Sequence, residues 1–574
     1  MLELLSDLER KRDVLYGKLK ALGEFRRGTL SVHFRKCGKP NCVCAQEGHP
    51  GHGPQYLWTT TIKGKSYARN IKLGPEMQKY QEEIARYQAF LKLCDEILQV
   101  NERICDVRPV VEIQDEKELG ELKKKLPEAV YEEIQREVGR IVMLFCKEKG
   151  KSGRYDLEAL EMSIRASVHG IGDIVIEKLI NWDGGDYRGR TIPCDKGHEY
   201  EFVEYRDKEV LTVLGPVAVN RAYYYDKECK TGCCPKDHAL DIEGTSYSPG
   251  VRRMMSKVGA YRPFGLGHED LYELAGIRVN AKEVERVSQE TGRQVEVYHQ
   301  EQAKAALSDK VVSINPVPRM YICMDGTGVP MVKSETEGRA GKGEDGQAKT
   351  REAKLGCVFT QTRVDKEGRP IRDEDSTSYT GAIEPAEAFG SRIYQEAKRR
   401  GMDRAREVCV IGDGAPWIWN IADEHFYEAV QIVDLYHARE HYWNAAKTCF
   451  GQNKQKLHQW AEERRTELDE GRMEDVIRAI QRLTPQSEYD KRTCAREVGY
   501  FEKNKERMRY AEFRRRGLFV GSGVLEAGCR TVIGQRLKQS GMHWTVRGAN
   551  SIIALRCSLL SNRWEDFWEN RACA

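Results

Sequence analysis

Residues 319–332 read RMYICMDGTGVPMV, and residues 408–415 read VCVIGDGA. Each is a short apolar run that ends in Asp-Gly. Tyr321 to Met324 precede Asp325 and Gly326, and Val408 to Gly412 precede Asp413 and Gly414. Apolar runs of this length, bounded by turn residues, predict buried strands. Two more such runs lie nearby, KLGCVFTQTRV (354–364) and AVQIVDLYH (429–437). Together they predict an α/β region. Its two aspartates would emerge where strands end, with small residues behind them that let a ligand approach. Asp-Gly after a strand is also an ordinary turn signal. Two of them in one α/β region are what make a site the better reading.

A third carboxylate, Glu526, lies in GSGVLEAGCRTVIGQRLKQSGMHWT (521–545). Apolar and small residues flank it, and Arg530, Arg536 and Lys538 follow. Arg530 is four residues on, so a surface Glu–Arg pair on one helix face is the alternative reading. Residues 501–574 hold 14 Lys and Arg against 7 Asp and Glu, whereas the whole chain of 574 residues carries a net charge of only +4. The basic surplus is therefore concentrated at this end. A basic zone beside hard oxygen ligands suits a polyanion held through Mg²⁺ or Mn²⁺. Such ions, in pairs, serve phosphodiester chemistry.

Working outward, residues 438–516 show helical spacing and no strand signal. Residues 247–292 read as three short helices with a Gly-rich turn at Phe264 to Gly267. Within them Lys282 and Arg286 are the exposed bases of a candidate helix-turn-helix reader, and plain three-helix packing is the equal alternative. Residues 190–243 are β-like, with Cys194 and His198 at one end of a hairpin and Cys229, Cys233, Cys234 and His238 at the other. This arrangement is similar to a zinc ribbon. The first segment, about 1–110, joins helices to a hairpin around Lys63-Gly64-Lys65. It also holds a loop with Cys37, Cys42, Cys44, His49 and His52. That loop is either a zinc site or a Gly/Pro-turned loop with free thiols, because C-x₄-C-x-C is not a standard zinc spacing.

Composition sets outer limits. With 40% hydrophobic and 32% charged residues, the chain reads as globular and polar. Its 18 cysteines are too dilute for a disulfide scaffold. The opening MLELLSDLERKRD is charged, which predicts no secretory leader, and no long apolar run predicts a membrane span. Clustered Cys and His are then read as metal ligands before disulfides.

The order strand-Asp, strand-Asp, helical stretch, helix-Glu resembles DDE transposases. More closely, ICMDGTGVP, VIGDGAPWIW, VDLYHARE and GSGVLEAGCRTVIGQRLKQSGMHW resemble bacterial insertion-sequence transposases of the ISKra type, related to the Mutator-like group. The resemblance covers most of the chain and is most specific in the GSG block. It implies a multidomain α+β protein whose RNase H-like α/β catalytic core carries an all-helical insertion, preceded by helical, zinc-ribbon-like and helix-turn-helix-like modules.

The expected divisions are 1–110, 111–189, 190–243, 244–300, 315–437 (core), 438–516 (insertion) and 517–574 (core). The implied catalytic, Mg²⁺-binding residues are Asp325, Asp413 and Glu526. Asp434 and His437 match a supporting (C/D)xxH motif, and Asp434 is a rival to Asp413. Arg530, Arg536, Lys538 and Trp544 are expected at DNA, and Trp443 and Trp460 are candidates for stacking on a base or for helix packing. Related proteins carry YY-x-C-x-x-C at the second ribbon knuckle. Here Asp226 stands for the first of those cysteines, so a zinc set of Cys194, His198, Cys229 and Cys234 is expected, with Asp226 or Cys233 as substitutes. Cys37, Cys42, Cys44 and His52 are the other expected zinc set.

The implied activity is binding of terminal inverted repeats, cleavage, and joining of 3′-ends to target DNA by a homodimer or larger assembly. The implied location is the bacterial cytoplasm, at the nucleoid. The alternatives are an RNase H-like nuclease without strand transfer and a domesticated DNA-binding regulator with an inert core.

Overall fold

The computed structural model describes residues 5–62, 65–107, 157–194, 196–308, 318–341 and 346–571, with a few more between 132 and 143. It divides into two compact units, Met1–Pro127 and Glu128–Ala574.

In the first unit, α1 (Leu5–Ala21) is followed by β1 (Thr29–Arg35), β2 (His52–Ile62) and β3 (Lys65–Ile71), and then by the long α2 (Pro75–Val107). The strands form an antiparallel sheet in chain order. The expected hairpin is present, with Ile62 opposite Lys65; its turn residues 63–64 lie outside the described residues. Leu8 and Leu15 of α1 seal against Ile97, Val100 and Ile104 of α2.

The second unit begins with α3 (Leu157–Ile180) and an antiparallel sheet of β4 (Thr191–Pro193), β5 (Glu199–Leu211), β6 (Pro216–Asp226) and β7 (Thr231–Cys233). Ile176 and Ile180 of α3 pack on Val210, Val217, Val219 and Ile242. The end of the expected 111–189 segment thus belongs with the β module, and most of 111–156 lies outside the described residues.

After α4 (Pro235–Ala239) come α5 (Pro249–Tyr261), α6 (Phe264–Ala275) and α7 (Ala281–Ser308). They share a small core of Val251, Met255, Leu271, Ile277, Val284 and Val287. Two boundaries differ from expectation. The FGLG stretch is the first turn of α6, where Gly267 lies so close to Val258 that a β-carbon would sit 2.6 Å from it. And α7 runs eight residues past the expected end at 300, because it also packs along the helix at Val546–Leu560.

The central sheet contains β8 (Arg319–Pro330), β9 (Thr350–Gln361), β12 (Ser378–Ala382), β13 (Glu407–Gly412) and β14 (Val430–Val433), with a small ribbon of β10 (Arg363–Val364) and β11 (Pro370–Ile371) beside it. Its order is β12-β9-β8-β13-β14. The β8–β9 and β9–β12 pairs are antiparallel, and β8–β13 and β13–β14 are parallel. Thr350 to Ala353 open β9 and pair with Thr327 to Pro330.

Met320 to Met324, Val410, Ile411, Ile432 and Val433 are sealed from solvent, as strands covered on both faces must be. The covering elements include α8 (Ala386–Arg399), α9 (Pro416–His425), α15 (Gly523–Gly528), a π-helical turn at Cys529–Gly534, α16 (Gln535–Leu537), α17 (Val546–Leu560) and α18 (Trp564–Asn570).

Between β14 and α15 the described elements are all helices, as expected for 438–516: α10 (Leu435–Phe450), α11 (Lys454–Asp469), α12 (Met473–Gln481), α13 (Glu488–Asn504) and α14 (Tyr510–Arg515). Trp443 meets His458 edge-on and Trp460 lies under Arg464, both half-buried against the core. No helix among the described residues is long and apolar enough to cross a membrane.

Candidate active site and cysteine clusters

The parallel register sets the acids in a row. Cys323 pairs with Ile411, so Asp325 on β8 is level with Asp413 just past β13. Gly412 pairs with Val433, so Asp434 just past β14 is level with Asp413 too. Asp413 and Asp434 stand at the carboxyl ends of β13 and β14, and Asp325 lies within β8 just past the end of its pairing with β13, at the edge where open α/β sheets build sites. β8 itself does not stop at Asp325. It outruns β13 and continues as a two-stranded arm with β9 to Pro330.

The three aspartates are held differently. Asp325 is half-buried; its Oδ1 accepts the Gly326 N–H (2.7 Å) and its Oδ2 accepts from the Cys529 thiol (3.2 Å). Burial pushes its carboxyl above the usual range, and the charge of Asp413 adds to that. Asp413 Oδ1 accepts the Ala415 N–H at 2.8 Å, and its backbone carbonyl accepts the Tyr500 hydroxyl at 2.8 Å.

Asp434 is fully buried. Its Oδ1 caps α10 by accepting the N–H groups of Tyr436 (2.7 Å) and His437 (3.0 Å), while Oδ2 accepts the Ser522 N–H. Both Asp434 oxygens are thus engaged, as both Asp325 oxygens are, and Asp434 ties the start of α10 to the turn before α15 while standing beside Asp413 in the row. The Ser522 N–H it fixes belongs to the GSG turn that starts α15, on which Glu526 stands exposed.

Partial desolvation beside the row raises the Glu526 carboxyl, although its surface is open to solvent. Asp434, Glu440 and Asp325 raise it further, and His437 opposes them. These mutual effects set Glu526 and His437 in the field of the aspartate row. His437 Nδ1 lies 3.7 Å from Glu440. The turn after Glu526 is π-helical, from Cys529 to Gly534. Single π turns recur at functional sites, and this one delivers the Cys529 thiol to Asp325.

The expected DNA contacts divide. Arg530 and Lys538 are exposed, and the Lys538 ammonium donates to Thr327 Oγ1, two residues from Asp325. Arg536 is fully buried. Its Nε donates to the Gly259 carbonyl (2.8 Å), and its guanidinium lies over Phe264 (4.6 Å) and Trp544 (5.0 Å). Burial, with Arg556 nearby, pulls its pKa down to about 10. Trp544 is also buried, donating to the Leu537 carbonyl at 3.0 Å. Neither can reach DNA; both join the core to α5 and α6. Lys282 is exposed, and Arg286 is exposed but paired with Glu283 at 2.8 Å.

Among the described residues, two groups bring ligand atoms within 4.8 Å of one another: Cys37, Cys42, Cys44 and His52, and Cys194, Asp226 and Cys229. Asp325, Asp413 and Glu526 do not close that tightly. In the second group Asp226 takes the place expected for Cys234, which instead stands just before α4. Asp226 is buried, with Oδ1 accepting from the Glu228 and Cys229 N–H groups and Oδ2 making no hydrogen bond but lying 3.6 Å from His198 Nδ1. His198 Nδ1 stands 3.2 Å from Cys229 Sγ, at the edge of the group.

Tyr500, Cys529 and Ser522 are the site residues that sequence reading did not single out. Cys529 and Ser522 lie inside the GSG block and carried a signal; Tyr500, on a helix of the insertion, carried none.

A family model described only as a domain of unknown function (DUF6788) matches residues 5–77, which run from α1 to the start of α2 and include the first cysteine cluster. No curated protein matches the chain.

Proposed function

We propose that the chain is a DNA transposase that cleaves the ends of a mobile element and joins their 3′-ends to target DNA. One observation carries this reading: Asp325 and Asp413 stand level on adjacent parallel strands, and the Asp434–Ser522 link brings Glu526 toward them. The strand order, with the three antiparallel strands β12, β9 and β8 followed by β13 and β14 parallel to β8, supports an RNase H-like core.

The acids fit divalent ions by their chemistry. They are hard oxygen donors, and desolvation raises the carboxyls of Asp325 and Glu526, with nearby acids adding to it. Asp325, Asp413 and Glu526 would hold Mg²⁺ or Mn²⁺, which when bound supplies activation of water or a 3′-hydroxyl and stabilisation of the leaving oxygen. Ligands of two ions about 4 Å apart need not converge on one point, consistent with the wider spacing of these acids.

The protein's own part is positioning and charge. Cys529 and the Gly326 N–H orient the Asp325 carboxylate. Tyr500 fixes the turn that carries Asp413. Lys538 and Arg530 offer cations for phosphates beside the row. Two element ends must meet, which calls for a dimer or larger assembly.

The test uses purified protein, Mg²⁺ and a labelled duplex from the ends of the element that encodes it, beside D325N. The expected result is end-specific 3′-nicks and joined products in the wild type, reduced at least about a hundredfold in D325N. Nicking without joining would turn the reading toward a nuclease. Salt-dependent binding with no cleavage in either protein would turn it toward an inert-core DNA-binding protein.

A further inference from the structure

We propose that Cys37, Cys42, Cys44 and His52 bind one zinc ion that folds the loop between β1 and β2. The inference concerns the first unit alone and does not rest on the DNA chemistry above.

The loop poses a structural problem. β1 and β2 are antiparallel neighbours, and such strands need only two to five connecting residues. Here residues 36–51 intervene. Their order comes from one short helical turn, Val43–Ala45, and a few turn bonds, such as Ala45 N–H to the Cys42 carbonyl (2.8 Å) and Cys42 N–H to the Lys39 carbonyl (3.2 Å). The apolar cluster described for this unit lies between α1 and α2 and includes no loop residue. Val43, the large aliphatic side chain of the loop, is exposed. Hydrophobic burial therefore does not explain why this stretch holds one conformation.

What converges instead is donors. All four ligand atoms lie within 4.8 Å of one another. Cys44 and Cys37 Sγ are 3.5 Å apart, and Cys42 Sγ is 3.0 Å from His52 Nε2. Zn–S bonds of about 2.3 Å at tetrahedral angles put thiolates about 3.8 Å apart, and a thiolate and an imidazole slightly closer. The loop thus has nearly the spacing of a filled site. The Cys37 N–H donates to Cys44 Sγ at 3.4 Å, the kind of outer bond that steadies a thiolate ligand. Gly51 lets the returning chain press on β1: its φ is +110°, and a β-carbon there would sit 2.8 Å from the Arg35 carbonyl carbon. That close approach sets His52 opposite Arg35 at the mouth of the loop.

The donor set selects the ion. Three thiols and an imidazole are soft and borderline ligands, matched to zinc and not to magnesium or calcium. Four protein ligands fill a tetrahedral ion and leave no place for water, so the site is structural and not catalytic. The unusual C-x₄-C-x-C spacing is no obstacle, because Cys42 stands just before the Val43–Ala45 helical turn and Cys44 lies within it, so the backbone turns between the two thiols.

The experiment measures zinc per chain in the full-length protein purified without chelator, for wild type, C37S/C42S and H52C. The difference is read because the Cys194 group could hold an ion of its own. One equivalent fewer in C37S/C42S than in wild type is expected, with no loss in H52C, whose fourth thiolate can replace the imidazole. Cobalt exchanged into the wild type should give intense tetrahedral bands that C37S/C42S lacks, and this reading stands even where the double variant yields little folded protein. Equal zinc in wild type and C37S/C42S overturns the proposal. So does a Cys37–Cys44 disulfide found by mass spectrometry in protein kept under reducing conditions.

Discussion

Arg536 and Lys538 sit two residues apart in a basic stretch, and they do opposite things. Sequence alone treats both as phosphate contacts. The backbone separates them: Arg536 points into the core, where a carbonyl and two aromatic faces receive it, and Lys538 points out beside Thr327. A buried guanidinium is strongly destabilising to truncate, because its partners are left behind with a cavity. R536A should therefore cost about 3 kcal/mol or more in denaturant titrations. K538A should leave that midpoint within about 0.5 kcal/mol. Its effect should appear in DNA binding, as weaker affinity on any sequence and a salt slope reduced by about one. The reverse pattern would undo the assignment of both residues.

At the scale of elements, the helical stretch between β14 and α15 does more than fill space. Its α13 sends Tyr500 to the backbone of Asp413, with the ring stacked on His441 at 3.5 Å. Gly414 makes room for that ring; its φ is +99°, and a β-carbon would lie 2.5 Å from the Tyr500 ring. The insertion thus braces the turn after β13. Y500F removes one neutral hydrogen bond, worth about 1 kcal/mol. It should lower the cleavage rate about tenfold through lost positioning, with DNA affinity unchanged. An unchanged rate in single-turnover assays would show that the brace is not needed.

This element also marks the limit of what sequence could tell. The strands were legible because apolar runs ending in Asp-Gly carry their own punctuation, and the helical stretch because strand signal stops at Asp434. The aspartate row was legible as residue types; that Asp434 shares its oxygens among three N–H groups, two of them at the start of α10, was not, because no residue pattern encodes the contact with Ser522. Tyr500 was not legible, because its contact crosses 87 residues and no local pattern encodes it.

For the whole molecule, the acidic row is assembled from distant segments; Cys529 and Asp325 are 204 residues apart in the chain. A site built this way couples to global stability. Desolvation holds Asp325 and Glu526 protonated to higher pH than ordinary carboxyls. The unfolded chain ionises them first, at about pH 4. Their contribution to stability is therefore fully present below about pH 4 and is lost as pH rises through the folded-state values. Other carboxylates, such as Glu497 beside His441, are shifted down and work in the opposite direction. The informative quantity is thus the difference between wild type and D325N. In EDTA, the stability of wild type relative to D325N should fall as pH goes from 4.5 to 8. At pH 7, Mg²⁺ at ten to a hundred times its dissociation constant should restore about 1.4–2.7 kcal/mol to the wild type, and almost nothing to D325N. Thermal unfolding with and without Mg²⁺ measures both. An equal Mg²⁺ response in the two proteins would mean that the ion binds elsewhere and that the aspartate row is a structural feature of the sheet.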